Sequence, residues 1–68
     1  MKIIYDRETD ILTMIFKEGK VAESDELRDG IIIDYDNNGH IISMEVMDAS
    51  EHTHQPLSVA YEVKEATV

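Results

Sequence analysis

Apolar and polar positions alternate with a period of two along most of the chain, the pattern of half-buried strands rather than of helices. "KIIY" (2–5) is short and β-rich. "DRETD" (6–10) is polar and suits a turn, because Asp side chains bond nearby backbone amides. In "ILTMIF" (11–16), Leu12, Met14 and Phe16 share one face and Ile11, Thr13 and Ile15 the other. Apolar residues on both faces point to a central strand, or to one whose second face meets another chain. "KEGK" (17–20) is a second turn in which Gly19 is free to take positive φ. "VAESDEL" (21–27) reads either as a charged edge strand or as a helical turn capped by Ser24. "GIIIDYD" (30–36) and "HIISMEVM" (40–47) flank the turn residues Asn37, Asn38 and Gly39. "DASEHTHQP" (48–56) allows one helical turn near 48–54, capped by Asp48 or Ser50. "LSVAYEV" (57–63) alternates strictly and reads as a last strand, with Leu57, Val59, Tyr61 and Val63 on one face. The expectation is one mainly β domain over 1–68, a small antiparallel meander of five to six strands around a central 31–36/40–47 hairpin.

"DYDNNGHIISME" (34–45) also fits a calcium loop. Asp34, Asp36 and Asn38 would stand at ligand positions 1, 3 and 5, Gly39 at the sharp turn, and Glu45 at the bidentate position 12. Such a loop needs a helix on either side. Here the entering residues are Ile31, Ile32 and Ile33, and the exit alternates with period two. A hairpin with Asn38 and Gly39 at the centre of its turn sets Tyr35 against Ile42, Ile33 against Met44 and Ile31 against Val46. That makes 31/33/35/42/44/46 an apolar core face. A three-residue loop would oppose Ile33 to Ser43 and Ile31 to Glu45, because a one-residue slip flips every side chain, so an even-numbered loop is expected. The same register gathers Asp34, Asp36 and Glu45 on the other face, beside Ile32, Ile41 and Met47. These carboxylates are the first candidate for a weak cation site.

Charge narrows the partners. The 68 residues hold 6 basic and 15 acidic side chains, a net charge of -9. Such a surface repels phosphate backbones and anionic membranes, so neither nucleic acid nor membrane is an expected partner. A basic protein partner suits it better. Hydrophobic content of 43% separates the chain from disordered acidic tails. No apolar run reaches a membrane span, and Met1 leads straight into strand-like sequence, so a cytoplasmic protein without a leader is expected. There is no cysteine, hence no disulfide or thiolate site. A domain this small and unstapled often relies on a partner subunit.

Other candidate chemistry is sparse. His52 and His54 would share a face of an extended chain, and imidazole suits zinc or nickel. A structural zinc site takes four ligands, and only Asp48 and Glu51 are near. Ser24, Ser43, Ser50 and Ser58 lack a base in any recognisable spacing, and there is no nucleophile elbow. The chain is therefore read as a non-enzyme with no catalytic residues and no cofactor. The tyrosines are expected to carry hydroxyls to the surface, and Met14, Met44 and Met47 to fill core or interface.

Taken together, Tyr5, Asp6, Asp10 and Leu12 in the first ribbon, then Asp34, Asp36 and Gly39, then Glu45, Val46, Asp48, Ala49 and Ser50 resemble the small prokaryotic family known as domain of unknown function 2283. The ending "SVAYEV" looks like that family's last strand. Ser43 stands where a glycine is common, which implies less close packing there. The resemblance implies the β fold and no particular activity.

Two functions follow as expectations. One is a self-associating interaction module, a homodimer, in which Ile11, Ile15, Ile32, Ile41 and Met47 give the sheet a second apolar face. The alternative is a regulatory protein that binds a divalent metal or small ligand weakly through Asp34, Asp36 and Glu45.

Overall fold

Stiff β-branched residues set the strands, and Asp, Asn and Gly set the reversals between them. In the computed structural model, which describes residues 1–66, five strands form one antiparallel sheet. They are β1 (Lys2–Asp6), β2 (Ile11–Ile15), β3 (Glu23–Arg28), β4 (Ile31–Tyr35) and β5 (Ile41–Val46), followed by a one-turn helix α1 (Ala49–His52). The expected mainly β, antiparallel fold is the one adopted. The strand order is β1-β2-β5-β4-β3, so the hairpins β1–β2 and β3–β4–β5 join through β2 and β5 rather than in strict succession. Segment 21–27 resolves in favour of the edge strand. Its Glu23, Asp25 and Glu26 discourage pairing with a further strand, and a bulge at Leu27 breaks its ladder with β4.

The central hairpin has the expected inner register by a different route. Ile33 opposes Met44 and Ile31 opposes Val46. The loop, however, is three residues long. The Asp36 amide donates to the His40 carbonyl at 2.9 Å, the Gly39 amide to the Asp36 carbonyl at 3.1 Å, and only Gly39 has positive φ, at 79°. Tyr35 therefore opposes Ile41, not Ile42, and Ile42 is the extra residue of a bulge that restores the register one step further in. Ile41 accordingly leaves the second face, where a two-residue turn would have put it.

Three other expectations are corrected. Segment 57–63 joins no ladder; its only backbone bond among the described residues is from the Ser58 amide to the Gln55 carbonyl at 3.1 Å. The sheet thus has five strands, within the expected five to six. Gly19 is not in the left-handed region and instead lies against Ile42, 3.5 Å from that side chain's Cδ1. The helical turn forms, but neither Asp48 nor Ser50 caps it through a side chain. Asp48 takes φ 51°, and the helix start is held from elsewhere in the fold.

The core is thin. Among the described residues, only Ile33, Ile42 and Ala49 are buried apolar residues, at 6%, 5% and 1% exposure. All five residues of β2 are half-buried, with no alternation between covered and open positions. A domain normally closes its core between two layers. Among the described residues there is one layer, and only the four residues of α1 lie outside it as regular structure.

Candidate interaction surface

The two ends of the sheet are each organised by an aspartate. At the end carrying the β1–β2 turn, Asp6 accepts the Glu8 amide at 2.9 Å, which folds the reversal locally. Asp10 closes it at φ 58°, a conformation Asp tolerates better than most residues. Its carbonyl takes the Ala49 amide at 2.9 Å, and its carboxylate takes the Ser50 amide at 3.1 Å and the Ser50 hydroxyl at 2.6 Å. The Tyr5 hydroxyl donates to the same carboxylate at 2.6 Å. Asp10 thereby satisfies the free amides at the start of α1 that a helix's own residues leave open. The Ser50 and Tyr5 bonds hold the Asp10 carboxyl below its ordinary range, and Asp10 in turn raises the Tyr5 hydroxyl above its own. The Tyr5 hydroxyl is thus committed to a partner rather than simply presented to solvent.

At the opposite end, Asp36 accepts the Asn38 and His40 amides, each at 2.9 Å, and pairs with the Lys17 ammonium. The ammonium and these amides bring its carboxyl down to about 2. Asp34 sits between two hydroxyls, Ser24 from β3 and Ser43 from β5, the latter at 2.7 Å. Both donate to it and hold its carboxyl below the usual range. Glu45 lies opposite Ile32 and Thr13.

The three carboxylates proposed from sequence as a cation site are thus divided: Asp36 is bound into its loop and Asp34 into a serine pair. His52 lies in α1 and His54 beyond it. Among the described residues, no group of three or more His, Cys, Asp or Glu side chains is placed to hold a metal ion. The sequence reading missed the tie between Asp10 and Ser50, whose only trace is that Asp10 and Asp-Ala-Ser belong to one family pattern. It missed Ser24 as a partner of Asp34 for the same reason, since the two meet only when β3 and β4 pair.

The larger feature is a surface. Cα pairing puts Ile3, Leu12, Met14, Ile33 and Met44 on one side of the sheet. The central strands present no charged residue on this side; Glu23 and Asp25 on edge strand β3 are its only strand acids. Asp34 and Glu45 occupy the other side. The apolar side is the one that sequence assigned to the core; among the described residues no second layer of regular structure covers it, so Leu12, Met14 and Met44 stay half-buried while Ile33 is buried. At its β1 margin Met1 and Ile3 form a shallow groove with Tyr61, which is 77% exposed. No helix among the described residues is long and apolar enough to cross a membrane.

These features define a class: a small single-sheet β domain clasped at one end and open on its apolar face. The chain belongs to the family described as "Protein of unknown function (DUF2283)", which matches residues 2–50, from the first strand to the clasp serine. It is similar to an uncharacterized protein of Methanocaldococcus jannaschii, 39% identical over 51 residues, which is 75% of this chain and 43% of that protein. The chain therefore spans less than half of that relative's length. No solved structure matches.

Proposed function

We propose that the chain is a homodimeric interaction module without catalytic activity of its own, assembled by stacking the apolar face of one sheet on that of a second copy. One observation carries this reading. The chain exposes 5785 Å² of surface, whereas a folded monomer of its mass exposes about 4,400 Å². The excess, about 1,400 Å², is shared between the sheet's uncovered face and residues 57–66, all of them exposed; each partner contributes roughly 800 Å² to a standard interface. Its 13.8 Å radius of gyration points the same way, against about 11 Å for a compact chain of this length. Stacked sheets pack about 10 Å apart with side chains interdigitating, which is how half-buried Leu12, Met14 and Met44 become core. The other side, with Asp34 and Glu45 among Ile11, Ile15 and Ile32, then faces outward, and its carboxylates suit a basic protein partner.

Met14→Lys tests the stacking. It puts a charge at the centre of the apolar side and lowers the net negative charge, so a loss of association cannot come from added repulsion. Light scattering is expected to show a dimer for the wild-type chain and a monomer for the variant, with an unchanged far-ultraviolet strand spectrum. A variant that dimerises as tightly as the wild type would overturn the proposal.

A further inference from the structure

We infer that residues 57–63 are an arm that each chain lays across a second copy, where Leu57, Val59 and Tyr61 complete the stacked interface. The inference rests on the stacked-face reading and adds the element that closes it. Three observations lead here. The segment has a strand's alternation, yet its apolar members stand open: Leu57 is 69% exposed, Val59 60% and Tyr61 77%. Solvated apolar side chains at every second position of an extended segment form a ready-made contact stripe. Next, the segment reaches the margin of the apolar face at Tyr61. Tyr61 shares a groove with Met1 and Ile3, and Ile3 is on that face by its pairing with Met14. A second copy seated on the face would meet this arm at its rim.

Area gives the third argument. Five strands about 4.8 Å apart and five residues long present a footprint of about 400 Å². That is about half of what each partner gives to a standard interface. The sheet face is thus only part of the chain's excess surface, and the exposed arm, which meets the face at Tyr61, holds much of the rest. The arm lies beyond residue 50, where the family match ends, so the likeness of "SVAYEV" to that family's last strand is not part of the match. Its partner is a second copy rather than the chain's own sheet, on which it leaves all three side chains mostly bare.

The full-length double variant Val59→Ser, Tyr61→Ser tests this, read beside the wild type by sedimentation. The expected result is at least a tenfold weaker dissociation constant with the strand spectrum intact. In a mixture of isotope-labelled and unlabelled wild-type chains, the Tyr61 ring is expected to show cross-relaxation to isoleucine and methionine methyls of the other copy. A double variant that associates like the wild type overturns the arm and leaves stacking in place. So does a Tyr61 ring whose contacts all lie within its own chain. A wild-type chain that stays monomeric at every concentration overturns both the arm and the stacking.

Discussion

The clasp end and the hairpin-loop end of the sheet use the same residue for different purposes. Asp36 serves residues within four positions of itself and adds one lysine from the crossover. Asp10 reaches forty positions along the chain to Ser50 and brings α1 onto the first turn. The glycines differ in parallel. Gly30 and Gly39 have nearly equal φ, 81° and 79°, but a Cβ on Gly30 would come within 3.2 Å of the Met47 Cβ, whereas one on Gly39 would meet nothing within 4 Å. One end is therefore a packed junction of distant segments, and the other an open local turn. The fold depends on the junction for its closure and on the turn mainly for the direction of one reversal.

Substitutions can break this contrast, and the largest effect is expected at Ala49. It is 1% exposed, so Ala49→Leu overpacks the clasp and costs about 1–3 kcal/mol. Thermal melting would register this as a drop of about 4–8 °C per kcal/mol. Asp10→Ala should follow closely, because it removes the acceptor of both Ser50 and Tyr5 and leaves alanine at positive φ. Asp10→Asn, which keeps an oxygen and tolerates that φ, should recover part of the loss; equal melting temperatures for the two would show that the hydrogen bonds are immaterial.

Between the glycines, Gly39→Ala should cost about 1–2 kcal/mol from the left-handed backbone alone. Gly30→Ala should cost measurably more because of Met47. Denaturant midpoints that rank them the other way would remove the distinction between packed junction and open turn.

The smallest effect is that of pH. The Asp36 carboxyl falls from 3.8 to about 2 in the fold, and those of Asp10 and Asp34 are lowered as well. Depressed carboxyls stabilise the fold above their unfolded values, and that contribution fades as pH falls from about 4 toward 2. Tyr5 is raised, so its contribution is complete below about 10 and is lost as pH climbs past its folded value. Denaturant titrations of wild type and Asp36→Asn at several pH values below 5 should converge as the wild-type carboxylate protonates; parallel curves would contradict the assignment.

What the sequence revealed divides along the same line. Alternation located the strands, and the isoleucine run 31–33 fixed the central pairing because only one register buries it. The loop was misread because two one-residue shifts cancel. A three-residue loop and a bulge at Ile42 leave Ile33 opposite Met44, as a two-residue turn does. Apolar pattern constrains the sum of such shifts and not their positions. The alternation of 57–63 predicts a strand, but a ladder needs a neighbour as well as a pattern, and among the described residues none is paired with it. The Asp10–Ser50 clasp joins positions whose proximity depends on the whole sheet, so no local signal carries it. Spacing groups the candidate cation ligands Asp34, Asp36 and Glu45, and it carries no sign of the partners that two of them have in the fold, Lys17 and loop amides for Asp36 and serine hydroxyls for Asp34.

The open apolar face is where sequence, fold and proposed function meet, and the mass of the particle in solution tests it most directly. Sedimentation equilibrium across the micromolar range is expected to show twice the 7.8 kDa chain mass. Because each copy carries -9, association should tighten as salt is added. A single species at the chain mass, at every concentration and salt level, would contradict the account.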